Sequence, residues 1–310
     1  MKNKGIHHIS IISGDGRENA NFYVNTLGLR MVLKTVNQDD PTNYHLFYAN
    51  GAGQPGSSIT FFPWPRAISA TYGTGETVAV SFSVPENSFD YWIDRFANKN
   101  VKFDAPIERL GKPVLRFFDP DGLSLELIED SRSDGLPAWR ESDVPEEFAI
   151  RGFWGANFLL TETESSIRIL TDILGFQRSK QQDNLSLLET ESSLGHSIIL
   201  EKEESSRPGR TGKGTVHHVA FRAKDEEELD SLREQVVGMG LNPTGIIDRH
   251  VFKSVYFQTP GGILFEIATD GPGYKSVVEN EEELGKKLFL PPWLEPKRGR
   301  IEQTLPPIEV

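Results

Sequence analysis

The sequence predicts an α+β protein made of four β-α-β-β-β units grouped into two domains. Three internal correspondences predict it. A β-type run carrying a His-His pair occurs twice, as Gly5-Ile6-His7-His8-Ile9-Ser10-Ile11-Ile12 and as Gly214-Thr215-Val216-His217-His218-Val219-Ala220-Phe221. Leu27-Gly28-Leu29 and Leu174-Gly175-Phe176 each close a helical stretch, at an offset of 147 positions (175 − 28). The run from Phe118 to Glu126 mirrors the run from Gln258 to Glu266: Pro120 and Pro260 are each followed by Gly two residues on and Glu six residues on.

The elements follow in order. Unit one, near 5–63, opens with the first His-His strand. Its helix over 16–27 spaces Ala20, Phe22, Tyr23 and Leu27 along one face and stops at Gly28. Unit two, near 77–128, opens with Thr77-Val78-Ala79-Val80-Ser81-Phe82 and closes with the first Pro-Gly-Glu run. Unit three, near 151–201, opens with Gly152-Phe153-Trp154-Gly155-Ala156-Asn157-Phe158. Unit four, near 214–269, carries a helix over 224–238 with Leu229, Leu232 and Val236 on one face, ending near Gly238 and Gly240. The expected partition is an N-terminal domain over 1–130 (units one and two), a polar linker over 131–149 with Pro137 and Pro145, and a C-terminal domain over 150–271 (units three and four). The Pro-rich stretch 272–310 is expected to pack as an arm with little regular structure.

Composition narrows the function. The 310 residues carry 33 Lys and Arg against 45 Asp and Glu, a net charge of −12. Nucleic acid and anionic membrane are therefore poor partners. The chain has 0 cysteines, which excludes disulfides, iron–sulfur clusters, cysteine zinc sites and thiol nucleophiles. Any metal must be held by His, Asp or Glu. No apolar run approaches the roughly 18 residues of a membrane span. The opening segment, with Lys2 and Lys4, lacks the apolar core of a secretory signal. A soluble, cytoplasmic protein is expected.

The repeats allow positions to be compared within one chain. Unit one has His8 and unit four His218 where unit two offers Val80 and unit three Gly155. On the closing strands, unit four has Glu266, unit two Glu126 and unit three Glu201, whereas unit one runs apolar or hydroxyl from Thr60 to Phe62. A His, His, Glu set forms only if unit one faces unit four. Successive strand residues point to opposite faces. His8 and His218 are taken as inward because Ile6 and Val216, two positions back, then share the buried face; His7 and His217 would point elsewhere. Glu266 shares its face with Leu264, and a buried carboxylate needs a partner or a metal. Two imidazoles and a carboxylate match the facial triad of non-haem Fe(II) oxygenases, although zinc accepts the same donors. Glu126 and Glu201 have no His partner in their own units and read as a metal-free counterpart. His45, within Tyr44-His45-Leu46-Phe47-Tyr48, is a candidate pocket wall. His196 reads as a solvent-exposed turn residue, and His250 as facing away from Arg249. The Gly-rich stretches 51–53 and 72–75 lack the strand-to-helix setting of a phosphate loop.

In this order the motifs resemble the vicinal oxygen chelate superfamily of glyoxalases and extradiol dioxygenases, and more closely its ring-cleaving dioxygenases that act on hydroquinones. The resemblance rests on both His-His strands, on Asp248-Arg249, on Phe252-Lys253-Ser254-Val255-Tyr256 and on the run Thr259–Glu266, and it spans nearly the whole chain. It implies two domains with curved mixed sheets, and iron held by His8, His218 and Glu266, with Mn(II) or Zn(II) as alternatives. It implies supporting roles in catalysis for His7, His217, Arg249 and Tyr256, a small aromatic substrate with O2, and pairing of copies into a homo-oligomer. Ser10 stands where relatives carry Thr, which keeps the hydroxyl. Two readings compete: a glyoxalase-like isomerase or thiol transferase, which would want a fourth protein ligand, and a metal-free module that sequesters a small molecule.

Overall fold

The computed structural model describes residues 5–204 and 207–308; Lys2 and Lys4 of the opening segment lie outside them. Unit one contains β1 (Ile6–Ser13), α1 (Gly16–Ala20), β2 (Arg30–Val36), β3 (Tyr44–Ala49) and β4 (Ser58–Pro63). Asp15 caps α1 by accepting from the Arg17 and Glu18 amides at 2.8 and 3.1 Å. The helix then widens into a π-turn over Asn21–Thr26, and unit three repeats this at Ile169–Ile173. Unit two contains β5 (Glu76–Val84), α2 (Phe89–Asn98), β6 (Ile107–Arg109), β7 (Lys112–Phe118) and β8 (Ser124–Glu129). Unit three contains β9 (Gly152–Leu160), α3 (Glu164–Arg168), β10 (Gln177–Gln182), β11 (Leu185–Glu189) and β12 (Ser197–Lys202). Unit four contains β13 (Thr215–Ala223), α4 (Glu226–Gly238), β14 (Ile247–Asp248), β15 (Lys253–Gln258) and β16 (Leu264–Thr269). Asp225 caps α4 and three glutamates fill its first turn, where the helix dipole favours negative charge. Leu229, Leu232 and Val236 are buried, as their spacing predicts.

Two curved mixed sheets of eight strands result, in the orders β14-β15-β16-β13-β1-β4-β3-β2 and β10-β11-β12-β9-β5-β8-β7-β6. This corrects the expected grouping of units. Units one and four share one sheet and units two and three share the other, so both sheets cross the division between 1–130 and 150–271. The reason is edge pairing: β1 lies antiparallel to β13, and β5 to β9, so each opening strand finds its partner in the other half of the chain. The sheets pack through one apolar core that includes Phe82, Phe153, Phe158, Phe221 and Phe265. The Phe158 and Phe265 rings meet across it at 5.6 Å. Each such buried side chain contributes roughly 1.5–3 kcal/mol.

The C-terminal stretch is more ordered than expected. It forms short 3-10 turns and a helix α5 (Arg298–Thr304), and it buries Leu290, Leu294, Ile301, Leu305 and Ile308. It is pinned where the Phe289 amide donates to Lys34 O at 2.8 Å on the β2 edge. Among the described residues no helix is long and apolar enough to cross a membrane.

Candidate metal centre

Three adjacent strands carry the candidate ligands. His8 lies on β1, His218 on β13 and Glu266 on β16, where Ala220 pairs with Glu266. The Nε2 atoms of His8 and His218 are 3.4 Å apart, and Glu266 Oε2 lies 3.3 Å from the first and 2.9 Å from the second. All three side chains are buried. Glu266 Oε1 accepts from Ser254 Oγ, but Oε2 has no hydrogen bond of acceptable geometry. A buried carboxylate oxygen left in this state is costly. Two imidazole lone pairs and that oxygen converging on one point fit a divalent cation, which would satisfy all three. Burial alone would raise the Glu266 carboxyl, yet His8 and His218 hold it well below the usual carboxylate range. Burial lowers the His218 pKa, against the pull of Glu266.

The neighbouring histidines are placed by bulges, which corrects the simple alternation of faces. In the β1–β13 pair the register shifts past His7 and past His217, leaving each without a cross-strand partner. A bulge lets two successive side chains lean to the same side. His7 Nδ1 therefore reaches His8 Nδ1 at 2.9 Å, and His217 Nδ1 reaches His218 Nδ1 at 2.8 Å. With each inner ring donating from Nδ1, its Nε2 lone pair faces the cluster. His217 lines the cavity, whereas His7 sits behind His8 against Phe252. Desolvation, then the facing His218, lowers His217 to about 4, and desolvation with His8 lowers His7 well below the ordinary histidine value. Both are neutral near pH 7.

Tyr256 on β15 pairs with Glu266 and meets the His218 ring edge-on at 5.6 Å. Arg249 Nε donates to Tyr256 Oη at 3.3 Å, and its guanidinium also reaches Asp39 at 3.3 Å. Burial, reinforced by Glu266, raises the Tyr256 phenol well above its ordinary value, so it stays protonated and can donate. These groups open onto a cavity of about 450 Å³ with walls that include Leu33, Phe47, Phe62, Phe252 and Phe289. His45 lines it as expected, its ring 4.1 Å from those of both Phe47 and Phe62 and its Nε2 2.9 Å from Thr60 Oγ1. Burial, then His8 and His218, holds His45 well below the ordinary histidine value.

Several residues carried no assigned role in the sequence. Phe252 stacks on His8 at 4.9 Å, Ser254 holds Glu266, and Gln38 Nε2 donates to the Arg249 carbonyl at 3.1 Å. Ser254 sits two positions before Tyr256 and shares its face, a signal present in the strand pattern. Nothing in the sequence marks Gln38 or Asp39. His196 requires correction: it is buried, with Nε2 2.7 Å from Asp130 and Nδ1 2.7 Å from Ser197. The Gly195 backbone before it bonds to both Ile6 and Phe153, which draws the turn between the two sheets. His250 takes φ 72° and packs against Phe289 at 5.0 Å, outside the ligand cluster.

The second sheet shows what the same scaffold does without histidines. Ser81 pairs with Glu126 as Ala220 pairs with Glu266, so the counterpart of His218 is Ala79, two residues before Ser81, and not Val80. The counterpart of His8 is Gly155, where a Cβ would stand 2.0 Å from Ser197 O. Strand registers likewise match Arg109 to Arg249 and Arg116 to Tyr256. Arg109 reaches in with both guanidinium nitrogens, at 2.8 and 2.6 Å from Glu126. A guanidinium thus takes the charge-balancing place there. Glu201 is partly exposed, and Asn184 Nδ2 donates to it at 3.5 Å. Among the described residues His8, His218 and Glu266 form the one three-residue cluster with metal-ligand spacing.

Known proteins share this plan. The profile of the Glyoxalase/Bleomycin resistance protein/Dioxygenase superfamily matches residues 5–127 and 159–267. MhqA of Bacillus subtilis, which carries a ring-cleaving dioxygenase name, is 40% identical over 100% of both chains. A chlorohydroquinone/hydroquinone 1,2-dioxygenase of Sphingobium indicum is 31% identical, covering 97% of this chain and 96% of its own. A crystal structure of a Bacillus subtilis protein named as a dioxygenase superimposes with a TM-score of 0.95 at 39% identity, covering 100% of this chain and 99% of that one. Glyoxalase I of Zea mays shares the fold at a TM-score of 0.64 and 15% identity, covering 86% of this chain and 93% of its own.

Proposed function

The chain belongs to the glyoxalase/bleomycin resistance protein/dioxygenase superfamily, and from that premise we propose that it is a non-haem Fe(II)-dependent dioxygenase that opens the ring of a hydroquinone-type aromatic. The observation that carries the reading is the convergence of His8, His218 and Glu266, with an unsatisfied carboxylate oxygen, on an apolar-walled cavity. A full-length relative named for hydroquinone cleavage supports the substrate class. Bound there, iron would keep open positions for substrate and O2 and pass electrons between them. The protein's own groups do the rest. Apolar walls exclude water and hold the ring flat. Neutral His217, whose Nδ1 accepts from His218, carries its proton on Nε2 and can donate it from the cavity wall to a substrate oxygen. Tyr256 and Arg249 donate toward the same oxygen, stabilising the phenolate that binds.

The test is anaerobic loading of the purified chain with Fe(II), Mn(II) or Zn(II), followed by metal analysis and O2 uptake with hydroquinones and catechols. About one ion per chain, with O2 uptake in the Fe(II) form on hydroquinones, is expected. Full iron occupancy in His8→Ala, His218→Ala or Glu266→Ala would overturn the ligand set. Faster turnover of catechol than of every hydroquinone would move the chain to catechol cleavage.

A further inference from the structure

His45 is not among the converging ligands, yet it is the polar group of the opposite wall. In the strand order, β15 with Tyr256 lies on one side of the ligand strands, while β4 and then β3 with His45 lie on the other. The curved sheet turns these two sides toward each other. His45 stands two strand spacings from β1 and, because Phe47 pairs with Thr60 and Thr60 with Ser10, four residues along from His8, on the order of 16 Å backbone to backbone, which two inward side chains narrow to the length of a small aromatic. Its ring is clamped between Phe47 and Phe62. Its Nε2 is anchored to Thr60 Oγ1, which in turn bonds Ser10 Oγ at 2.7 Å. In the tautomer whose Nε2–H donates to Thr60, Nδ1 carries a lone pair with no protein hydrogen bond among the described residues, on a side chain that lines the cavity.

The closed half of the molecule supplies an internal comparison. Ser10 pairs with Thr60 as Asn157 pairs with Ile199, and Phe47 with Thr60 as Leu187 with Ile199. His45 therefore corresponds to Leu185. Where Arg109 takes the place of a metal, the column Ser10, Thr60, His45 is replaced by Asn157, Ile199 and Leu185, and Leu187 and Ile199 pack with Trp154 in an apolar plug. The Thr60–His45 hydrogen bond exists only in the half that has a cavity and a ligand cluster.

We propose that His45 binds the hydroxyl of the substrate that points away from the metal cluster, and so selects para-diols over ortho-diols and simple phenols. The inference rests on the reading of the site given above. A catechol turns both oxygens toward His8, His218 and Glu266 and leaves Nδ1 unused. A hydroquinone with one oxygen at the cluster directs the other toward the β3 wall, where Nδ1 accepts its proton in a hydrogen bond.

The test compares the metal-loaded wild type with His45→Leu, the residue of the closed half, and His45→Gln, which can still hydrogen-bond. Anaerobic fluorescence titration measures affinity for hydroquinone and for phenol, and O2 uptake measures kcat/KM for hydroquinone and for catechol. The wild type is expected to prefer hydroquinone to phenol. In His45→Leu that preference should collapse by roughly 10- to 100-fold, with the hydroquinone-to-catechol kcat/KM ratio falling in step, and His45→Gln should restore part of both. Unchanged ratios in His45→Leu, or equal losses on all ligands, would overturn the role of His45 while leaving the proposed activity intact. A wild type that turns over no dihydroxybenzene would overturn the proposed activity and this inference with it.

Discussion

His8 and His218 are separated by 210 positions in the chain, yet their Nε2 atoms lie 3.4 Å apart across the β1–β13 pair. The ligand cluster is thus a product of strand pairing between the two halves of the chain, and the same pairing supports the second sheet through β5 and β9. Proteolytic nicking in the exposed part of the linker, around Arg140 and Glu141, should leave two fragments that co-elute in size-exclusion chromatography and keep their metal. Separation into two folded fragments under native conditions would mean that the halves do not depend on each other.

The Arg109–Glu126 pair predicts an asymmetry between the two sheets. Arg109→Ala leaves a fully buried carboxylate with only Ser81, Asn157 and the half-exposed Arg116 around it. Breaking a buried pair from one side costs about 3–5 kcal/mol. A large fall in Tm with unchanged metal content is expected. Loss of metal from this variant would contradict the separation of roles.

Tyr256 and Arg249 touch each other and not the ligand atoms through hydrogen bonds. Tyr256→Phe and Arg249→Ala should keep iron and lose most hydroquinone turnover, by roughly 10²–10⁴-fold where a proton-handling group is removed. Wild-type rates in both variants would reject their assigned roles.

Stability should respond to pH through Asp119. Burial, with Asp121 nearby, raises its carboxyl from 3.8 to about 7, and Tyr23 donates to it at 3.2 Å. A folded-state value above the unfolded one gives a contribution present in full below about pH 4 and lost as pH rises through about 7, worth about 4 kcal/mol at most. Asp119→Asn keeps an acceptor for the Leu123 and Asp121 amides and carries no charge. Its Tm should exceed that of the wild type at pH 8, and the gap should narrow steadily on acidification and close near pH 4. A gap that widens on acidification would contradict the assignment.

The repeats made the four units and the His, His, Glu set legible, because a duplicated chain displays which positions its own copies leave empty. The facing of units one and four was legible only through the ligand set, since on strand pattern alone either β1–β13 pairing or pairing within each half would serve. The contact between His7 and His8 was also hidden, because strict alternation of faces holds only without a bulge. His196 looked exposed because a Leu-Gly-His turn normally faces water; here it is drawn inward by backbone bonds to both sheets. Asp39 and Gln38 left no trace in the sequence, because their relevance depends on a loop of unit one meeting Arg249 of unit four.

The most direct measurement is ¹⁸O₂ labelling of the product formed from a hydroquinone by the Fe(II)-loaded protein, with His218→Ala in parallel. The account predicts a ring-opened product carrying both labelled oxygen atoms from the wild type and no such product from the variant. An unlabelled quinone, or a labelled ring-opened product from His218→Ala at the wild-type rate, would contradict it.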